Sequence, residues 1–169
     1  MLIFFLLLST FKPEYEKFLN FESYYLILPE EKEVFLKLEE DYQRDIFIEE
    51  FWRRRDPFPD TYENEFKEGF LRRLEEGAQT FDFYDPRTRF YALFGPPDEI
   101  IQIKCENYVP SFIWKYRRLD LISSPAILLF YQPLGIGRYK LYEGMGEEVL
   151  YSGEAREEIC FEKIYLDQA

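Results

Sequence analysis

A chain of 169 residues, 47% of them apolar, is long enough to bury the core of one domain and short for two. Its 33 acidic residues outweigh 21 basic ones, and the net charge of −12 opposes both nucleic-acid phosphates and anionic membrane surfaces. Histidine is absent, which removes every Ser-His or Cys-His nucleophile pair and the commonest metal ligand.

Oxygen ligands alone leave a Ca²⁺ or Mg²⁺ site open, but no EF-hand loop, Cys-x-x-Cys or zinc spacing supports one, so neither metal nor cofactor is expected. Fourteen Tyr and eighteen Phe make the chain unusually aromatic. They suit a core with tyrosine rims or, alternatively, a stacking surface for sugars or for a partner's side chains.

The run Leu2 to Leu8 (LIFFLLL) is too short to span a bilayer, which takes about twenty residues, so no integral span is expected. Its length suits the apolar stretch of a signal peptide. Residues 1–11 therefore read as a signal-peptide remnant of a periplasmic or secreted protein; the competing reading is a core strand of a cytoplasmic one. In an exported chain Cys105 and Cys160 are disulfide candidates, and in a cytoplasmic one small buried hydrophobes.

Phe21 to Leu28 (FESYYLIL) reads as a strand. Pro29, Glu30 and Glu31 then open a long amphipathic helix through Val34, Phe35, Leu38, Tyr42, Ile46 and Phe47, ending around Trp52 to Arg55. A stiff loop, Asp56-Pro-Phe-Pro-Asp60, leads to a second helix capped near Asp60 or Thr61. Its apolar face is Tyr62, Phe66, Phe70 and Leu74, and its C-terminal cap Gly77.

The period then changes to two. Arg89 to Phe94 reads as a strand stopped by Gly95-Pro96-Pro97-Asp98, followed by strands at Glu99–Ile103, Phe112–Tyr116, Ala126–Tyr131 and Arg138–Tyr142, the last an outer strand. Residues 151–169 form a charged tail. The expected architecture is one α+β domain over 12–150, with two N-terminal helices packed on an antiparallel meander of four or five strands.

Two segments are dense in arginines, acids, aromatics and turn residues: Phe51 to Glu65 (FWRRRDPFPDTYENE) and Arg87 to Ile100 (RTRFYALFGPPDEI). Trp52, Arg53, Arg54, Arg55 and Asp56 fall at a helix end, where arginines complement the dipole and seek bidentate carboxylates. Asp56, Glu63, Glu65, Asp98 and Glu99 are the candidate acids. With Asn64, Arg87 and Arg89 they make a polar joint between the helix corner and the Gly-Pro-Pro-Asp turn. The alternative is a binding site for a carboxylate- or phosphate-bearing ligand. No catalytic residue is assigned: no phosphate loop occurs, and 33 acids single out no carboxylate pair.

The same residues carry a resemblance. Phe51 to Pro57, Asn64-Glu65 eight residues after Asp56, then Arg87, Arg89, Tyr91, Leu93 and Gly95 to Ile100, then Trp114, Tyr116 and Gly135 to Leu141, are similar to the GWxTD domain over about residues 25 to 145. Where that family's naming signature falls, Asp82 to Pro86 reads DFYDP, keeping an aromatic and an acid but not Gly, Trp or Thr. The resemblance implies a bacterial exported protein of a family without an assigned activity. The predicted elements are also similar to small envelope lipoprotein modules that bind proteins. The expectation is a non-catalytic envelope module that binds an envelope protein partner. The alternative is a glycan-binding or glycan-hydrolysing domain that uses aromatic stacking and a carboxylate pair.

Overall fold

The structure, a computed structural model, describes residues 11–103, 109–118 and 125–143 and the backbone of 161–164. The expectations for residues 1–10, Cys105 and Cys160 lie outside these. The fold is α+β. Among the described residues are five α-helices, α1 (Pro13–Lys17), α2 (Pro29–Lys37), α3 (Asp41–Arg53), α4 (Glu65–Phe81) and α5 (Pro86–Phe94). Five strands follow: β1 (Glu99–Ile103), β2 (Ser111–Tyr116), β3 (Ala126–Tyr131), β4 (Lys140–Leu141) and β5 (Phe161–Ile164). No helix among these residues is long and apolar enough to cross a membrane. The chain divides into two compact units, Met1–Leu71 and Arg72–Ala169, with the boundary inside α4.

In the first unit the expected strand at Phe21 to Leu28 is absent. Pro13 opens α1, whose missing N–H costs nothing at that position, and the chain winds on through a π-helical turn, Phe18–Glu22. Tyr15, Phe18 and Leu19 are buried at helical spacing, and the buried Ser23 hydroxyl closes the turn by donating to the Phe18 carbonyl at 2.8 Å.

The expected long helix is also two. Leu38 is extended (ψ 133°), and the Gln43 side-chain carbonyl accepts the N–H groups of Glu39 and Glu40, each at 3.1 Å, which gives α3 its own start. The Arg44 guanidinium takes up the freed carbonyls of Leu38 and Glu39. The break splits the apolar stripe. Phe35, Phe47 and Phe51 converge on Phe18 with ring centroids 5.1–6.4 Å apart, while Val34, Tyr42 and Ile46 stay exposed. Asn64 caps α4, its Oδ1 accepting the Lys67 N–H at 2.8 Å; Tyr62 precedes the helix and is not on its buried face.

In the second unit α4 runs past Gly77, which is not a cap but a contact point: a Cβ there meets Thr88 Cγ2 at 3.3 Å. The helix ends at Phe81 because Asp82 turns to φ +84°. The expected strand at Arg89 to Phe94 is helix α5. Asp85 caps it and Pro86 occupies its first turn, so the Gly95-Pro96-Pro97-Asp98 corner joins a helix to a strand.

The sheet order is β4-β3-β2-β1-β5, all antiparallel: a meander of four strands completed by β5, which pairs with β1 from within the expected tail. Within this unit the end of α4 and α5 pack on the sheet. Phe81 meets Trp114 at 5.5 Å, Phe90 meets Phe130 at 5.8 Å and Phe94 meets Tyr116 at 6.0 Å, around the buried Trp114, Tyr116 and Phe130.

Candidate functional site

In the first unit the dense segment begins where α3 ends. Phe51 and Trp52 are buried, so the arginines that follow emerge at the edge of an aromatic cluster. Arg53 turns back to Glu50 with two hydrogen bonds, 2.9 and 2.5 Å, and this contact holds the Glu50 carboxyl below its ordinary range. Arg53 is exposed and Glu50 partly so, and solvent screens the pair enough that it adds little stability. Arg54 is exposed.

Arg55 is different. Its guanidinium lies 3.6 Å from the centroid of the Phe51 ring and donates to the Phe51 carbonyl at 2.9 Å. It also donates to both oxygens of Glu31, at 3.1 and 2.8 Å. Glu31 also accepts the Leu28 N–H, so this one carboxylate serves as the α2 cap and the Arg55 partner.

The acids that meet these arginines are thus Glu50 and Glu31 rather than Asp56, Glu63 or Glu65. Asp56 accepts the Phe58 N–H at 2.9 Å. The Thr61 hydroxyl lies within reach of the Phe58 and Glu63 carbonyls and the Glu65 carboxylate, at 2.8–3.1 Å, and donates to one at a time. Asn64 joins both sides of the corner, donating to the Trp52 carbonyl at 2.8 Å while it caps α4. The corner these bonds hold presents Phe58, 61% exposed, and Tyr62, fully exposed, among Asp60, Glu63 and Glu65.

The second unit holds a tighter cluster. Asp85 accepts the backbone N–H of Arg87 and two bonds from its guanidinium, all at 2.9 Å. The side chains are 4% and 12% exposed. Three rings enclose the guanidinium: Tyr139 at 4.0 Å, Phe81 at 4.8 Å and Phe112 at 5.3 Å. Burial pushes the Tyr139 hydroxyl pKa up. Thr88, fully buried, has its hydroxyl 3.0 Å from the Gly77 carbonyl and 2.7 Å from that of Asp82.

Nearby, Arg73 Nε donates to the Ala92 carbonyl at 3.0 Å, and burial lowers the Arg73 pKa. Gly95, at φ +80°, accepts a bond from the buried Tyr116 hydroxyl at 3.1 Å. Asp98 accepts the Arg117 N–H at 2.7 Å, Glu99 meets Lys115 at 3.3 Å, and Arg89 is exposed with its guanidinium 5.9 Å from the Phe90 ring. The turn acids therefore brace the β1–β2 hairpin from within their own unit.

Sequence reasoning missed Glu31, Asp85, Tyr139, Phe81 and Phe112. Two carried a usable signal: Glu31 sits three residues into a proline-opened helix, and Asp85-Pro86 is a cap followed by a first-turn proline. The aromatic enclosure of Arg87 had none, since its rings come from three separate elements or loops. Chemically, the enclosed carboxylate and guanidinium are committed to each other, and no group of three or more acids able to hold a metal occurs among the described residues.

Among the described residues the α+β fold carries two arginine–carboxylate joints and an exposed aromatic corner held by hydrogen bonds. No family model matches the chain, and no curated protein or solved structure does.

Proposed function

We propose that the protein is a non-catalytic binding module of the bacterial envelope, related to the GWxTD domain, that engages another protein through the corner at residues 56–65. The observation that carries this reading is the exposure of Phe58 and Tyr62 on a loop fixed by Pro57, Pro59, Asp56, Thr61 and Asn64. Aromatic side chains are the usual anchors of interfaces, and a loop already held in shape loses little entropy on docking. The four acids between Asp56 and Glu65 favour a partner with a basic rim.

The test places a photo-crosslinking amino acid at position 62 of the full chain in envelope extract. A discrete protein adduct, outcompeted by the unmodified chain but not by a Phe58→Ala/Tyr62→Ala variant, is expected. A glycan array run alongside supplies the opposite outcome: sugar binding that disappears in the same double variant replaces this reading with the glycan one.

A further inference from the structure

Between β3 and β4 the chain reads Gln132-Pro-Leu-Gly-Ile-Gly-Arg138, and its two aliphatic side chains point out of the protein: Leu134 is 84% exposed and Ile136 78%. A loop that shows water two large aliphatics forgoes the burial that usually stabilises them. The loop is nevertheless built. Gly135 N–H donates to the Gln132 carbonyl at 3.0 Å, the Gln132 amide to the Gly137 carbonyl at 2.5 Å, and the Gln132 N–H to the Pro110 carbonyl at 2.9 Å. Just beyond it, Tyr139 is pinned under Arg87. Gly135 and Gly137 take φ +72° and +87°, conformations open to glycine at little cost, and a Cβ on either meets nothing within 4 Å. Both aliphatic side chains of the tip therefore stand open to solvent.

Its charge is equally distinctive. From Pro125 to Tyr142 the chain contains no carboxylate, and its ionised side chains are Arg138 and Lys140, both exposed, in a protein whose net charge is −12. Arg138 stands beside the tip, 3.6 Å from Asp82 and 5.3 Å from the Tyr84 ring. An exposed pair of aliphatics needs a pocket shaped for it on a protein, but no shaping on a fluid apolar layer. Cations at the base of such a tip lie at the depth of lipid phosphates.

We propose that the β3–β4 hairpin tip is a lipid-contact element, with Leu134 and Ile136 entering the interfacial layer of a phospholipid bilayer and Arg138 and Lys140 meeting its phosphates. Asp82, 3.6 Å from Arg138, competes with phosphate for that guanidinium, while acids farther off are screened by physiological salt within about 8 Å, so together they weaken this contact without cancelling it. One tip of two side chains gives a reversible attachment.

The experiment is flotation of the full chain with vesicles of phosphatidylcholine alone and of phosphatidylcholine with phosphatidylglycerol. The wild-type chain floats with both, and more with the anionic mixture. Leu134→Asp/Ile136→Asp lowers the bound fraction at least about tenfold on both compositions. Lys140→Gln lowers it roughly fivefold on the anionic mixture and less on the neutral one. Because the two aliphatics are so exposed, the double variant keeps the wild-type thermal melt, which separates lost binding from lost folding. A wild-type chain that floats with neither vesicle overturns the proposal, as does a double variant that floats like wild type. A photo-crosslinker at position 136 that marks a protein while vesicles leave the chain unbound assigns the tip to a protein instead.

Discussion

Replacing Asp85 by Ala tests the enclosed arginine joint directly. The carboxylate makes three bonds: one to the backbone at the start of α5 and two to the Arg87 guanidinium. Loss of a helix cap costs about 1 kcal/mol. Breaking a buried ion pair by removing one partner costs about 3–5 kcal/mol, because the other charge is left buried. Here the guanidinium keeps three ring faces and a little solvent, which favours the lower end. Asp85→Ala should therefore cost about 3–4 kcal/mol and Asp85→Asn, which keeps a capping oxygen, about 2–3 kcal/mol.

The companion variant Arg87→Met keeps an apolar stem among the rings. Paired with Asp85→Ala it leaves no orphan charge, so the double variant should cost less than the two singles added together, by more than about 1 kcal/mol. The assay is urea unfolding followed by Trp114 fluorescence in a Trp52→Phe background, since Trp114 is buried in this unit 5.5 Å from the Phe81 ring that lies under Arg87. A cost below about 1 kcal/mol for Asp85→Ala, or an additive cycle, shows that the pair is a surface contact and refutes the reasoning.

Two further outcomes follow from packing and from buried hydroxyls. Gly77→Val sets a branched side chain against Thr88, whose Cγ2 and Cα already stand 3.3 and 3.4 Å from a Cβ and whose hydroxyl is held between two carbonyls; the loss should be about 1–3 kcal/mol. An unchanged or higher Tm by circular dichroism would mean that the α4–α5 contact is not tight. Burial raises the hydroxyl pKa of Tyr116, and that of Tyr91 and Tyr139, above the ordinary value of 10. Once pH passes about 10 the unfolded chain gives up protons that the folded state keeps, so stability is intact below that pH and falls above it. In Tyr116→Phe the fall from about pH 9 to about pH 11 should be shallower; an identical slope excludes Tyr116 as its source.

The strands were readable because Glu99–Ile103, Phe112–Tyr116 and Ala126–Tyr131 are short apolar runs closed by proline, glycine or charge, and no helical spacing competes with them. Helix α5 was not, because Phe90, Ala92 and Phe94 satisfy a period of two while Phe90 with Phe94 and Thr88 with Ala92 satisfy a step of four. Asp85-Pro86 decides between them. The break between α2 and α3 leaves the apolar spacing almost undisturbed, since it is made by Gln43 and Arg44 side chains bonding the backbone. The arginines at the end of α3 announced their need for carboxylates, but the acid that meets Arg55 sits on α2, and only the folded unit brings it there. The two glycines mark 132–138 as a turn, but that Leu134 and Ile136 both stand exposed on it is visible only in the folded unit.

The pairing of β5 with β1 gives the sheet a timetable. During synthesis β1, β2, β3 and β4 emerge in order and zip to their predecessors through short separations. The far side of Glu99–Ile103 gains its antiparallel neighbour only when Phe161–Ile164 has been made. Until then a nascent chain carries the strand EIIQI as a bare edge, the kind of template on which unfinished chains pair with one another. A chain stalled before residue 161 therefore keeps that edge of β1 open to misassembly.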